Sequence, residues 1–240
     1  MTPGHGLRDE VPAGVLDTQL AYYRARAPEY DEWFHRHGRY DRGADQTAAW
    51  HAELGVVRSW LGALDLDGLE VLELAPGTGL WTAELLDAGA SVTAVDAAPE
   101  MLEALRRRCA GPRLTTVLAD LFSWAPARRF DAVVACFFMS HVPDERFAAF
   151  LELVAGAVGA GGRCFLLDGV REASSTARDH VLGAERAQTM QRRLDDGRTY
   201  EIVKVFRGDE ELSSACARAG LDVDVRRTAT YFQVADGRRT

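Results

Sequence analysis

The 240-residue chain has no run of about 18 apolar residues that would cross a membrane as a helix. It has no basic surplus either. Its 36 acidic and 28 basic residues leave a net charge of −8, the wrong sign for a face that grips nucleic-acid phosphates. The four cysteines, Cys109, Cys136, Cys164 and Cys216, lie far apart with no CxxC pair, so they read as reduced, buried thiols. The histidines show no ligand spacing; His35 and His37, two apart on a helix, face different ways, and no metal is expected. The start, Met1-Thr-Pro-Gly-His-Gly, lacks the basic-then-apolar pattern of an export signal, so a cytoplasmic location is expected. Lysine is nearly missing: 27 of the 28 basic residues are arginine, and Lys204 is the exception. Repeats and low-complexity tracts are also missing.

What is present is enough apolar residue, 47%, for the core of a single domain. Residues 1–14 carry three glycines and two prolines without a periodic pattern and read as a mobile tail. From Val15 to about His37, apolar residues recur at helical spacing, with Pro28 dividing the run. A second helix is expected over Asp45–Leu64, with Trp50, Leu54, Val57, Trp60 and Leu61 as its stripe. Strands are then expected at Glu70–Leu74, Ser91–Val95, Arg113–Leu118, Phe130–Phe137 and Arg163–Asp168, with helices near 79–89, 99–109 and 144–158. Such alternation predicts an α/β fold, a doubly wound, mainly parallel sheet with helices on both faces. Beyond Asp168 the reading is an arginine-rich polar loop and helix over 171–198, a strand over Thr199–Phe206, a helix over Asp209–Ala219 and a hairpin over Leu221–Val234.

In open parallel sheets, ligands bind beyond the carboxyl ends of the strands. The first strand ends at Glu73 and runs through Ala75 and Pro76 into Gly77-Thr78-Gly79, a turn that lets a ligand lie against the main chain at a helix start. The second ends at Asp96, suited to accept both hydroxyls of a ribose. After the third come Asp120, Leu121 and Phe122, an acid beside apolar groups that suits an adenine. After the fourth come Cys136-Phe137-Phe138 and then His141.

In this order, Glu73-Leu-Ala-Pro-Gly-Thr-Gly79, Val95-Asp96 with Pro99-Glu-Met101, Ala119-Asp120-Leu-Phe122 and Phe130-Asp131-Ala-Val-Val with Ser140-His141-Val142 resemble the four motifs of the class I S-adenosylmethionine-dependent methyltransferases. The resemblance covers roughly residues 15–235 and departs at Ala75, where the family most often has glycine. It implies a seven-stranded, Rossmann-like sheet with the last strand antiparallel. S-adenosylmethionine would be clasped by Glu73, Ala75, Gly77 and Gly79, with Asp96 and Ala97 at the ribose. Met101, Asp120, Leu121 and Phe122 would meet the adenine, Trp81 and Cys136 would lie near the methionine end, and S-adenosylhomocysteine would be the product. Residues 15–64 would form a helical lid bringing Tyr22, Tyr23, Arg26 and Tyr30 over cofactor and acceptor. Residues 65–170 would form the cofactor-binding core, 171–207 a cap over the substrate, and 208–240 a terminal helix and hairpin.

More narrowly, the phrases Gln19–Asp31, His141–Phe147 and Asp196–Arg207 resemble a bacterial small-molecule subgroup that includes a phosphonate O-methyltransferase, in which residues 38–55 look shorter. The expected reaction is O-methylation of a small anionic or hydroxylated metabolite in secondary metabolism, with N- or C-methylation as the alternative. An anionic acceptor needs only cations to hold it, and Lys204, Arg192 and Arg207 are candidates, with Tyr30 beside them. A neutral hydroxyl needs a base, and His141 is the candidate. A non-catalytic cofactor binder and a nicotinamide-dependent oxidoreductase are the rivals. The latter lacks its third glycine in Gly77-Thr-Gly79-Leu-Trp-Thr82. No nucleic-acid or membrane partner is expected, and monomer and homodimer are both open.

Overall fold

In β4 (Phe130–Cys136), Ala132, Val134 and Cys136 point to one side while Val133 and Ala135 point to the other, and all five are buried. A strand apolar on both faces needs cover on both, and that requirement sets the layering. β1 (Glu70–Leu74) and β5 (Val158–Gly169) behave alike, with Val71, Phe165 and Leu167 on the first face and Leu72, Leu74, Cys164 and Leu166 on the second. The structure is a computed structural model and describes residues 8–240.

The first face is covered by α3 (Ala44–Gly62), α4 (Leu80–Asp87) and α5 (Pro99–Arg108), through Trp50, Leu54, Val57, Trp81, Leu85, Leu102 and Leu105. The second is covered by α6 (Asp144–Ala157) and α7 (Asp209–Arg218), through Phe150, Leu151, Val154, Leu212 and Cys216. Each fully buried Leu, Val or Phe of these layers contributes about 1.5–3 kcal/mol.

With β2 (Ser91–Asp96), β3 (Leu114–Leu118), β8 (Leu221–Arg227) and β9 (Phe232–Arg239), the strands form one seven-stranded sheet of order β3-β2-β1-β4-β5-β9-β8. β9, the last in the chain, runs antiparallel to both its neighbours, and the other pairings are parallel. Strand order reverses between β1 and β4, so the crevice for a ligand opens above Leu74 and Cys136.

Ahead of the sheet, Pro28 separates α1 (Val15–Arg26) from α2 (Tyr30–His35), as its ring requires. Past β5, the helix expected within 171–198 is not formed. A 3₁₀ turn at Ala173–Ser175 is followed by β6 (Thr189–Arg193), which pairs antiparallel with β7 (Thr199–Val203). Short alternation in Met190 and Arg192, both turned inward, won over the general polarity that suggested a helix. This hairpin packs on α1. Tyr22 sits against Leu194 and Ile202, and the Gln19 amide joins Val203 N (3.0 Å) to the His141 carbonyl (3.1 Å).

Of the expected mobile tail, residues 1–7 lie outside the described residues. Residues 8–14 are tied down: the Arg8 guanidinium binds Asp144 (2.9 Å) and Glu211 (2.8 Å), and Asp9 N donates to the Arg186 carbonyl. Among the described residues, no helix is long and apolar enough to cross a membrane.

Candidate active site

The turn after β1 puts Ala75, Gly77 and Gly79 at φ of 53°, 59° and 85°, the left-handed region. Ala75 holds that conformation with a Cβ, a mild strain that glycine would not carry. At Gly79 a Cβ would come 2.9 Å from Leu105 Cγ, so this glycine lets the turn pack against α5. Gly77 donates its N–H to Asp96 Oδ2 (3.2 Å), and Ala98 N donates to Oδ1 (2.8 Å). These bonds aim Asp96 into a cavity of about 260 Å³. Its floor is Ala75, Gly77, Asp96, Ala97, Met101 and Asp120, and Leu121 and Phe122 continue the wall. From α1, Leu16, Asp17, Gln19 and Leu20 close the other side, and their part was not legible in the motifs.

Burial pushes the Asp96 carboxyl up to about 6, against the backbone N–H donors that hold it down. Burial likewise pushes Glu73 up to about 7, opposed by the Thr82 hydroxyl, which donates to Oε2 (2.6 Å). Among the described residues, Glu73 Oε1 and Trp81 Nε1 have no hydrogen-bond partner, though both are buried.

A second, smaller chamber of about 70 Å³ adjoins the first. Tyr23, Tyr30, Phe137 and His141 line both and form the seam between them. Aromatic walls come from Tyr22, Trp33, Tyr40, Trp50 and Tyr231. Three cations face it: Arg26, Arg192 and Lys204. Among the described residues, no carboxylate lines it. The Arg26 guanidinium lies over Tyr30 (4.8 Å) and donates to Tyr40 Oη (3.2 Å), while its Nε has no partner among the described residues. Arg192 Nη1 is buried and also without a partner among the described residues, and burial lowers the Arg192 pKa. Lys204 Nζ donates to Ser140 Oγ (2.6 Å) and stands 3.6 Å from Asp168 Oδ1. Asp168 in turn accepts from Ser140 Oγ and Ser140 N, both at 2.8 Å, which fixes the ammonium's support from below. Burial lowers the Lys204 pKa, and Asp168 opposes that.

At the seam, the His141 ring is fully engaged. Nδ1 meets the Val203 carbonyl at 2.8 Å and Nε2 meets Tyr23 Oη at 2.7 Å. A carbonyl only accepts, so Nδ1 carries the proton and Nε2 accepts from the tyrosine. Burial, reinforced by Lys204, holds the His141 pKa well below its ordinary value, so the ring is neutral.

Several expected positions differ. Tyr22 and Arg26, expected on the cofactor, line the smaller chamber instead, because that face of α1 turns toward β7. Arg207, expected on the acceptor, lines neither chamber. β7 ends at Val203, the chain turns, and the guanidinium binds Asp144 (2.9 Å) and the carbonyls of Met139 and Val142. Glu73, Gly79, Trp81 and Cys136 lie beneath the larger cavity rather than on its wall, in or beside the first core layer. Tyr40, Trp33, Trp50, His180 and Tyr231 were missed: Trp33 stands just past the Gln19–Asp31 phrase, and the other four arrive from segments outside the motifs.

A family model described as a methyltransferase domain matches residues 71–162. The ubiquinone biosynthesis O-methyltransferase of Xylella fastidiosa (strain 9a5c) is 31% identical over 164 residues, 66% of this chain and 63% of that protein, so less than two thirds of its length is spanned. Among solved structures, a DhpI–SAM–HEP complex is 35% identical with a TM-score of 0.76, covering 95% of this chain and 100% of the other. A DhpI–SAH complex gives 34% identity and a TM-score of 0.73 over 95% and 98% of the two chains.

Proposed function

The chain belongs to the class I S-adenosylmethionine-dependent methyltransferases, and from that premise we propose that it methylates an oxygen of a small anionic acceptor, a carboxylate or phosphonate. The larger cavity fits the cofactor's nucleoside: Asp96 offers a carboxylate held by the backbone N–H groups of Gly77 and Ala98, and Met101, Leu121 and Phe122 give an apolar slot. Just beneath that cavity, Glu73 Oε1 is a buried acceptor without a partner among the described residues. When bound, S-adenosylmethionine supplies an electrophilic methyl group on a sulfonium.

The observation that carries the acceptor class is the smaller chamber's charge: Arg26, Arg192 and Lys204 line it with no carboxylate among them. A buried guanidinium without a partner is costly, and a bound anion relieves that cost. The volume of about 70 Å³ holds on the order of five to seven water-sized groups at about 10–15 Å³ each, which limits the acceptor to a small molecule. An anionic oxygen already has its lone pair free. With the cofactor bound, that oxygen would displace sulfur from the methyl carbon, the C–S electron pair leaving with sulfur, so no base would have to take a proton. The chain's contribution is to orient that oxygen and exclude water. His141, with both nitrogens engaged, is not needed as the direct base expected from its sequence position.

Steady-state kinetics test this reading. Arg192→Ala and Lys204→Ala should each raise the KM for the anionic acceptor by about 10–100-fold, the loss of one charge-assisted hydrogen bond of about 1.5–3 kcal/mol, with the KM for S-adenosylmethionine little changed. Unchanged acceptor KM in both variants would remove the anionic assignment.

A further inference from the structure

Tyr23 occupies the seam between the two chambers, on the inner side of α1, and its hydroxyl proton has a fixed destination. The Nδ1 proton is donated to the Val203 carbonyl, so Nε2 of the neutral ring is bare and accepts the Tyr23 O–H hydrogen bond at 2.7 Å. A phenol has one proton to give. With that proton turned to His141, what the oxygen presents elsewhere is lone-pair density. Burial keeps the phenol itself un-ionised. The Tyr23 and His141 rings meet edge to face at 5.2 Å, and Gln19 ties the His141 carbonyl to Val203 N, so the pair is braced from both sides.

We propose that the Tyr23 oxygen, its O–H donated to His141, is the electron-rich contact for the sulfonium-bound methyl group, and that His141 is a positioning residue acting through Tyr23. The inference rests on the cofactor reading of the larger cavity and deepens it. Of the groups that meet at the seam, a positively polarised methyl is the one that gains from a lone pair. The anionic acceptor oxygen is repelled by it and goes to Arg26, Arg192 and Lys204. The same geometry therefore sorts the two reactants, with Tyr23 drawing the methyl and the cations drawing the nucleophile. No proton moves in the transfer, so the Tyr23–His141 hydrogen bond stays intact throughout.

The test is binding and spectroscopy, without turnover. Calorimetric titration of the full chain with S-adenosylmethionine and with S-adenosylhomocysteine isolates the methyl sulfonium, since the two ligands share everything else. Tyr23→Phe should lower the preference for S-adenosylmethionine by about two- to fivefold, the size of one weak C–H···O contact, and leave S-adenosylhomocysteine affinity unchanged. His141→Ala should cause a comparable loss with Tyr23 still in place, because the freed hydroxyl can turn its proton toward the seam. Bound S-adenosylmethionine carrying a ¹³C-labelled methyl should show its methyl protons downfield in the wild type and shifted upfield in Tyr23→Phe. Equal weakening of both ligands, or an unmoved preference with an unmoved methyl resonance, overturns the proposal while leaving the cofactor reading intact. So does a His141→Ala protein that loses turnover but keeps its preference. Wild type that binds neither ligand overturns both.

Discussion

Glu73 shows how one buried carboxylate can report on the ligand above it. Its Oε2 is satisfied by Thr82 and its Oε1 by nothing, and burial raises its pKa to about 7. A positive charge placed nearby favours the ionised form, so cofactor binding below pH 7 expels a proton. S-adenosylmethionine should bind about tenfold more weakly at pH 6 than at pH 8. Glu73→Gln should flatten that dependence and lower the affinity at pH 8. In the free protein the sign reverses. A carboxyl whose folded pKa lies above its unfolded value contributes stability that is present below about 4.5 and lost as pH rises through 7. Glu73→Gln without cofactor should thus be more stable than wild type at pH 8, and the two should converge near pH 5. His141 and His180, the latter held down to about 4 chiefly by burial, act the other way, losing stability as pH falls below about 6.5. They are common to both proteins and cancel in the comparison. Titration calorimetry and thermal melts across pH 5–8 read both effects, and a pH-independent affinity in wild type would contradict them.

At the scale of elements, the N-terminal helices are fastened over the glycine turn by a small polar clasp. Asp31 of α2 accepts from Thr78 Oγ1 (2.6 Å), and Arg108, at the end of α5, bridges Asp31 and the Thr78 carbonyl (2.8 Å). The Arg24–Glu100 pair ties α1 to α5 but is exposed, and such pairs contribute about 0–1 kcal/mol. The clasp is more sheltered, and Tyr30 beside it stands where a Cβ on Gly77 would come into ordinary contact with its ring. Asp31→Ala should therefore speed dissociation of S-adenosylmethionine by about three- to tenfold in a stopped-flow chase, about 0.7–1.4 kcal/mol and the net worth of one ordinary hydrogen bond. An unchanged rate would show that the helices do not gate the cofactor. Elements were also where the sequence was most and least informative. β1, the turn and α4 were legible because three signals coincide there: an apolar run, a glycine pair and a renewed helical period. β6 was not, because Thr189–Arg193 has only five residues and owes its form to pairing with β7. Positions on helices were half legible. Trp81 follows Gly79 and Leu80 in the motif, yet its ring turns into the core toward Phe34 and Phe137.

For the whole molecule, the two chambers differ in what sequence can reveal. The larger one is built from consecutive strand ends, so Gly77, Asp96, Met101, Asp120 and Phe122 appear in order along the chain. The smaller one is assembled from α1, the turn holding Tyr40, α3, the segment after β5, β6 and the Lys204 region. Lys204 and Arg192 stand out in the sequence as candidates to hold an anion and Arg26 as a lid residue, but tertiary packing alone brings the three together around one chamber. That assembly is also what distinguishes an anion site from a hydroxyl site. The most direct measurement follows methyl label from S-adenosylmethionine into size-matched pairs of small acceptors, one member a carboxylate or phosphonate and the other an uncharged amide or alcohol, with the products identified by mass spectrometry. Label should appear as an ester on the charged member alone; transfer to the neutral hydroxyl member with the charged one untouched would contradict the account.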